Sequence, residues 1–199
     1  MTERAKRAGD VVAAWPLFQE ERGGSIPTSA LDLRIEEIGA RLACDLNRKW
    51  HSMLPRTDLG NILCGTSTVC YGALFEGTWF AVGIWSQPII RSLCDGATIE
   101  LRRLAISDSA PRNTASRMLA IMRRLVSKKF PQMRRCISYL AVDVHAGTIY
   151  KAAGWQPVGD IVAARGQRFS GVNRRTRATG PLQTKSRKQR WELQLKESG

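Results

Sequence analysis

The sequence predicts an α/β domain in which helices flank a mixed central sheet. Three observations predict it. Segments with helical apolar spacing alternate with strand-like segments, in the order helix, strand, strand, strand, helix, strand, helix, strand. The strand-like runs are short and mostly apolar, and glycine or polar turns separate them. The chain has 199 residues, 43% of them hydrophobic, and no apolar run of eighteen, which suits one soluble domain with a core and no membrane span.

Each element follows in turn. Residues 1–25 read as a loosely ordered arm ending in "RGGS". A domain over 26–165 comes next, then a basic extension over 166–199. Within the domain, Leu31, Ile35, Ile38, Leu42 and Leu46 recur in steps of three and four, which predicts one continuous helix. Ser29 with Asp32 resembles a capping box at its start, and Pro55 closes it with His51 near the exit. "TVCYGALFEG" and "TWFAVGIWSQ" predict two strands joined by a hairpin at Glu76-Gly77. "TIELRRLAIS" predicts a third strand, with a bulge where alternation breaks at Arg102-Arg103. "DSAPRNTASRMLAIMRRLVSKKFP" predicts a helix ended by Pro131. Its apolar stripe is Met118, Leu119, Met122, Leu125 and Val126, and Arg117, Arg124 and Lys128 lie opposite. "CISYLAV" predicts a buried strand. "GTIYKAAG" is a short helix stopped by Gly154, and "WQPVGDIVAA" the last core strand. In the extension only "RWELQLK" alternates, as a strand that would add to a sheet edge.

The five cysteines, Cys44, Cys64, Cys70, Cys94 and Cys136, are odd in number and form no CxxC pair. They read as reduced core residues of a cytoplasmic protein, and the N-terminus lacks the apolar segment of a secretory signal. Charge is more telling. Lys and Arg number 31 against 17 Asp and Glu, a net +14. Ten basic and two acidic residues fall between Arg165 and Gly199, and eight basic and no acidic ones between Arg112 and Arg135. Such regional excess points to a polyanionic partner, nucleic acid first among them.

Two segments could carry chemistry. "LAISDSAPRNTASRM" takes a strand through a polar loop into a basic helix, and free N–H groups at a helix start seat anions. Arg112, Asn113, Thr114, Ser116 and Arg117 are the candidates there for a phosphate or pyrophosphate. The plainer alternative is a capped helix with a solvated face. "HAGTIYKAAGW" places Tyr150 in a helix directly after a buried strand, where a phenol could give a proton to a leaving group. The alternative is a partly buried structural Tyr.

The order of elements, with "G-x-x-Y-x-x-x-G-W", resembles the GNAT acyltransferases over about Leu31 to Val162. That resemblance implies an acyl-coenzyme A pyrophosphate at the loop and a proton-donating Tyr150. The loop of that superfamily usually carries glycines, and here it reads "SAPRNTAS". More narrowly, "RKWHSMLP", "YGALFEGTWFAVGIW", "ELRRLAISDSAPRNTASRMLAIMRRLV", "SYLAVDVHAGTIYKAAGW" and "KSRKQRWEL" resemble the phage Mom family of GNAT-like DNA-modification proteins. The resemblance implies addition of a carbamoylmethyl group to the exocyclic amine of adenine in phage DNA, protecting it from restriction. It also implies DNA as partner, a small-molecule group donor (acetyl-coenzyme A or another), iron, and the cytoplasm of a bacterial host.

Carried over to this chain, the resemblance implies His51 and His145 as metal ligands. It implies Tyr150, Glu100, Asp143 and Ser116 as catalytic groups. Relatives often carry Asp where this chain has Ala141, and Asp143 is the nearest substitute. Trp50, Tyr139 and Trp155 are candidates for stacking on a base. Arg103, Arg124, Lys128, Arg174, Arg175, Lys185, Arg187 and Lys188 are the expected DNA contacts. The competing readings are an acyl-coenzyme A-dependent N-acetyltransferase of a protein or small amine, and a DNA-binding protein without catalysis. The oligomeric state stays open, with a homodimer among the possibilities.

Overall fold

The computed structural model describes residues 26–51, 67–163 and 187–195. Its described strands form one mixed seven-stranded sheet in the order β1-β2-β3-β4-β5-β7-β6. The elements run β1 (Arg34–Ile38), α1 (Ala40–Trp50), β2 (Val69–Phe75), β3 (Thr78–Ser86), β4 (Thr98–Ile106), α2 (Thr114–Lys129), β5 (Arg135–Ala141), α3 (Thr148–Ala152), β6 (Gln156–Ala163) and β7 (Arg187–Gln194). Helix α2 packs on one face, its Met118 and Met122 in one core with Trp85 and Leu101; α1 packs on the other over Val82, Ile84 and Ala105.

The first helix begins later than its apolar spacing predicts. The capping box at Ser29 and Asp32 is present, but it caps a single 3-10 turn at Ala30–Asp32. Residues 34–38 are then an edge strand paired antiparallel with β2. Ile35 and Ile38 fit a helical stripe by spacing alone. Gly39, extended at φ −64° and ψ 144°, interrupts it, and α1 starts only at Ala40. Sheet pairing overrides a weak local preference here.

The hairpin stands where expected. Glu76 and Gly77 both have positive φ (44° and 80°), as a two-residue turn of the primed type requires. The bulge is also present. Ile84 pairs with Arg103 and Trp85 with Leu101, so Arg102 is the extra residue. Helix α2 buries Met118, Leu119, Met122 and Val126 as predicted.

The end of the sheet departs from expectation. β7 is not an edge strand. It lies between β5 and β6, antiparallel to both, with Trp191 and Leu193 in the core. β6, expected as a core strand, takes the edge. Pro157 lacks an N–H and is tolerated there, and Gln156 and Pro157 are exposed. Of the cysteines, Cys44, Cys70 and Cys136 are buried as expected, whereas Cys94 is exposed; Cys64 lies outside the described residues.

Gly147 begins α3 at φ +74°, and a Cβ there would run into the Trp191 ring. Gly147→Ala combines left-handed strain with that clash. It is expected to cost about 1–3 kcal/mol, read as a lowered midpoint in denaturant without a change of slope.

Candidate active site

The site is set by how β4 and β5 run. They pair in parallel only from Thr98–Arg135 to Leu101–Ser138, after which no ladder joins them. A gap therefore opens in the middle of the sheet just beyond Leu101 and Ser138.

On the α2 side, Tyr150 comes down from α3 onto that point. Its phenol oxygen is 2.8 Å from the Ser138 hydroxyl, which in turn donates to the Leu101 carbonyl at 3.0 Å. Ser138 has one proton and gives it to Leu101, so the phenol must be the donor to Ser138. Tyr150 is 5% exposed, stacked on Trp191 (centroids 5.4 Å apart, planes at 19°) and edge-on to Trp155 (5.4 Å, 72°). Burial pushes its pKa up, so the phenol keeps its proton at neutral pH. Trp155 also meets Trp85 at 6.2 Å, which makes it a packed core residue rather than a stacking platform.

The end of β4, the start of α2 and α3 line an open pocket of about 220 Å³; Tyr150 does not line it, but its neighbour Ile149 does. Its lining includes Ile106, Asn113, Thr114, Ser116 and Thr148. The loop has no glycine, yet it makes the turn a glycine would make: Asn113, at φ 68°, takes the left-handed conformation that Asn tolerates best among side-chain-bearing residues. Helix geometry then leaves the Ala115 and Ser116 N–H groups without intrahelical acceptors. The side chains behave differently from expectation. Thr114 and Ser116 hydroxyls donate to the Pro111 and Asn113 carbonyls (2.7 and 3.0 Å). Arg117 reaches back to the Leu31 and Leu33 carbonyls (3.4 and 3.5 Å), tying α2 to the turn that precedes β1. Arg112 is exposed. An anion at this helix start would thus meet backbone N–H groups and Arg112, not the hydroxyls. Thr148 was not singled out in the sequence.

The other face of the sheet is polar. Because of the bulge, Glu100 and Arg103, three apart, share the α1 face: they pair with Ser86 and Ile84 respectively. Tyr139, Lys188, Arg190 and Glu192 lie on the same face, in register along β5 and β7. Glu100 is 5% exposed and accepts from the Ile89 N–H at 3.0 Å; desolvation raises its pKa despite that bond and the nearby Arg102, Arg103 and Lys188 charges. Arg103 is pushed down to about 10, mainly by burial. Burial also lowers the pKa of Lys188. Arg103 and Lys188, expected as DNA contacts, are partly buried near Glu100 on this face. Tyr139 lies beside Arg190, and Glu192 pairs with Arg190 at 2.9 Å and with Arg135 at 3.8 Å.

His51 ends α1 against this face. Burial lowers its pKa to about 4, with Arg103 and His145 adding to the shift. The two histidines, far apart in sequence, are thus brought within each other's electrostatic reach. Among the described residues, however, no three His, Cys, Asp or Glu gather as a metal would require. The partly buried Arg103 guanidinium near His51 is poor company for a cation, so the described donor set does not fit iron.

Asp143 has a different task from the one expected. Its carboxylate accepts from the Arg187 backbone N–H (2.8 Å) and guanidinium (3.0 Å), which holds its pKa down. It is exposed, and it does not fill the place of Ala141, whose partner across the ladder is Lys188. Asp143→Asn and Arg187→Ala are expected to leave the denaturant midpoint close to that of wild type, since an exposed ion pair contributes little to stability. Among the other expected DNA contacts, Arg124 and Lys128 are exposed on α2, on the opposite side of the sheet from Arg103 and Lys188. Arg174, Arg175 and Lys185 lie outside the described residues. Trp50 packs against the α1-side core. Ser138 and Trp191, which hold Tyr150, were missed in the sequence; the only signal was a lone Ser and a lone Trp in otherwise ordinary strands.

A half-split mixed sheet with a pocket at the start of its longest described helix is the fold of the GNAT acetyltransferases. Solved structures bear this out. The ribosomal-protein-S18-alanine N-acetyltransferase from Escherichia coli is similar at 11% identity, over 84% of this chain and 96% of that one, with a TM-score of 0.58. The phosphinothricin acetyltransferase from Sinorhizobium meliloti in complex with AcCoA is similar at 13% identity, over 83% and 90%, with a TM-score of 0.59. An acetyltransferase from Bacillus subtilis in complex with CoA is similar at 14% identity, over 82% and 99%, with a TM-score of 0.53. Residues 32–198 match the model of the Mom protein family, and the chain belongs to that family. No curated protein sequence matches it. Among the described residues no helix is long and apolar enough to cross a membrane.

Proposed function

We propose that the protein transfers a carbamoylmethyl group to the exocyclic amine of adenine in DNA. The family match over 32–198 is the observation that carries this reading. The two-sided site supports it: a donor pocket on the α2 face, a polar acceptor face on the α1 side, and a gap in the sheet between them. The donor's anionic part is taken by the Ala115 and Ser116 N–H groups and Arg112. The adenine amine approaches from the α1 face, where Glu100 accepts its hydrogen bond and then its proton. Its lone pair is delocalised into the ring, so this acceptor must be close and desolvated. Tyr150 protonates the leaving group. As it does so, the Ser138 hydroxyl turns from Leu101 to the phenolate, and its proton stabilises the new charge. Iron, which the family resemblance implies, has no step here because the described donor set does not fit it. Basic side chains supply salt-dependent backbone affinity, with DNA counterions released on binding.

The test is mass spectrometry of nucleosides from plasmid DNA of cells expressing the full chain. Deoxyadenosine heavier by one carbamoylmethyl group is the expected result. Unaltered deoxyadenosine alongside soluble, folded protein would rule the reading out. A second reading, acyl-coenzyme A-dependent N-acetylation of an amine, is favoured by the pocket at the start of α2 and by the CoA complexes among the similar folds. It predicts that CoA protects the purified protein against thermal unfolding and that plasmid adenine stays unmodified.

A further inference from the structure

Between β3 and β4 the chain makes a short excursion that the chemistry above leaves unused. Pro88 is buried, and the next N–H, that of Ile89, is bonded to the buried Glu100 carboxylate. The Cys94 thiol donates to the Pro88 carbonyl at 3.1 Å. The Leu93 and Cys94 N–H groups return to the Ile90 and Arg91 carbonyls, closing a 3-10 turn over Arg91–Leu93. Asp95 closes the far end on the Ala97 N–H, the Thr98 hydroxyl and Arg135. The loop is therefore pinned at both ends. Yet it holds two adjacent β-branched side chains in water: Ile89 is 60% and Ile90 45% exposed.

The setting favours one occupant. Arg91 follows, also exposed, and the acceptor face behind carries Arg102, Arg103 and Lys188 around Glu100. The one exposed carboxylate of the loop, Asp95, is matched by Arg135 at 3.2 Å. A positively charged surround with an apolar tip complements a polyanion with an apolar interior, which describes a DNA duplex. Adenine's amine lies inside the base stack and must leave it to react. Branched apolar side chains inserted between base steps unstack and kink DNA at a cost of a few kcal/mol per step, which phosphate contacts offset.

We infer that Ile89 and Ile90 form a wedge that enters the base stack next to the target adenine, with Arg91 on the adjacent phosphate. The Glu100 carboxylate then ties wedge and chemistry together, since the group that receives the amine also fixes the height of the wedge. This inference rests on the DNA reading above.

The test compares wild type with Ile89→Ser/Ile90→Ser and Ile89→Leu/Ile90→Leu, each full-length and each checked for an unchanged thermal midpoint. The serine pair is expected to lower adenine modification of plasmid about tenfold or more, and the leucine pair to restore it. With purified protein, duplexes carrying 2-aminopurine in varied flanking sequence should brighten on binding wild type and the leucine pair, but not the serine pair. Binding of the same strand in single-stranded form should be alike for all three. Plasmid modified equally by wild type and the serine pair would overturn the wedge alone. So would equal loss of single-strand binding, or a change from dimer to monomer in the serine pair, which would mark the patch as a contact between copies. Plasmid adenine unmodified by wild type would sink the DNA reading and the wedge with it.

Discussion

Tyr150→Phe is expected to lower adenine modification about a hundredfold or more while the fold stands. The ring stays between Trp155 and Trp191, so packing is kept, and only the hydroxyl is removed. General acid catalysis contributes about 10²–10⁴-fold, which sets the scale. Stability should change by about 1 kcal/mol, because Ser138 keeps its bond to Leu101. Ser138→Ala should do the reverse. It strands a buried phenol proton, costing about 1–3 kcal/mol, and it removes the group that steadies the phenolate, with a smaller loss of turnover. The modified fraction of plasmid adenine and a denaturant titration read both effects. Full activity in Tyr150→Phe would make Tyr150 a packing residue and move the proton donor elsewhere.

The second large effect is one of pH. His51 has a folded pKa of about 4 against the ordinary 6.5, set first by burial and then by Arg103 and His145. The unfolded chain takes up a proton at higher pH than the folded one. The His51 contribution to stability is therefore complete above pH 6.5. It is lost as pH falls toward 4, and levels off below, a total of about 3 kcal/mol. His51→Gln keeps a neutral polar group and removes the titration. Urea melts of wild type and His51→Gln should diverge through this window and run parallel above it. Parallel curves down to pH 4 would mean that His51 charges freely in the folded protein.

Local features were legible in the sequence, and long-range ones were not. The Glu76-Gly77 hairpin, the α2 stripe and the bulge at Arg102 each depend on neighbouring residues, and each stands where the sequence puts it. Ile35 and Ile38 fit a helical stripe by spacing, but in a strand residues three apart face opposite sides, and each meets its own layer of core, Ile35 on the α2 side and Ile38 on the α1 side. That "RWELQLK" enters the sheet between β5 and β6 depends on partners 32 to 59 positions upstream, which no local pattern encodes. The site divides the same way. Tyr150 and Glu100 could be picked out by motif. Ser138 beneath Tyr150, and Lys188 opposite Ala141, follow only from register across the ladders.

The position of β7 also sets a timetable. During synthesis β1 to β5 emerge in an order that lets each pair with a strand already made or soon to come. β6 has no such luck: its only partner among the described strands is β7, which leaves the ribosome later. Until then β5 offers an open edge, and Tyr150 lacks the Trp191 ring that covers it. The candidate site is thus closed by the last described strand, so a nascent chain that can already hold α1 and α2 against the sheet still lacks the cover over Tyr150.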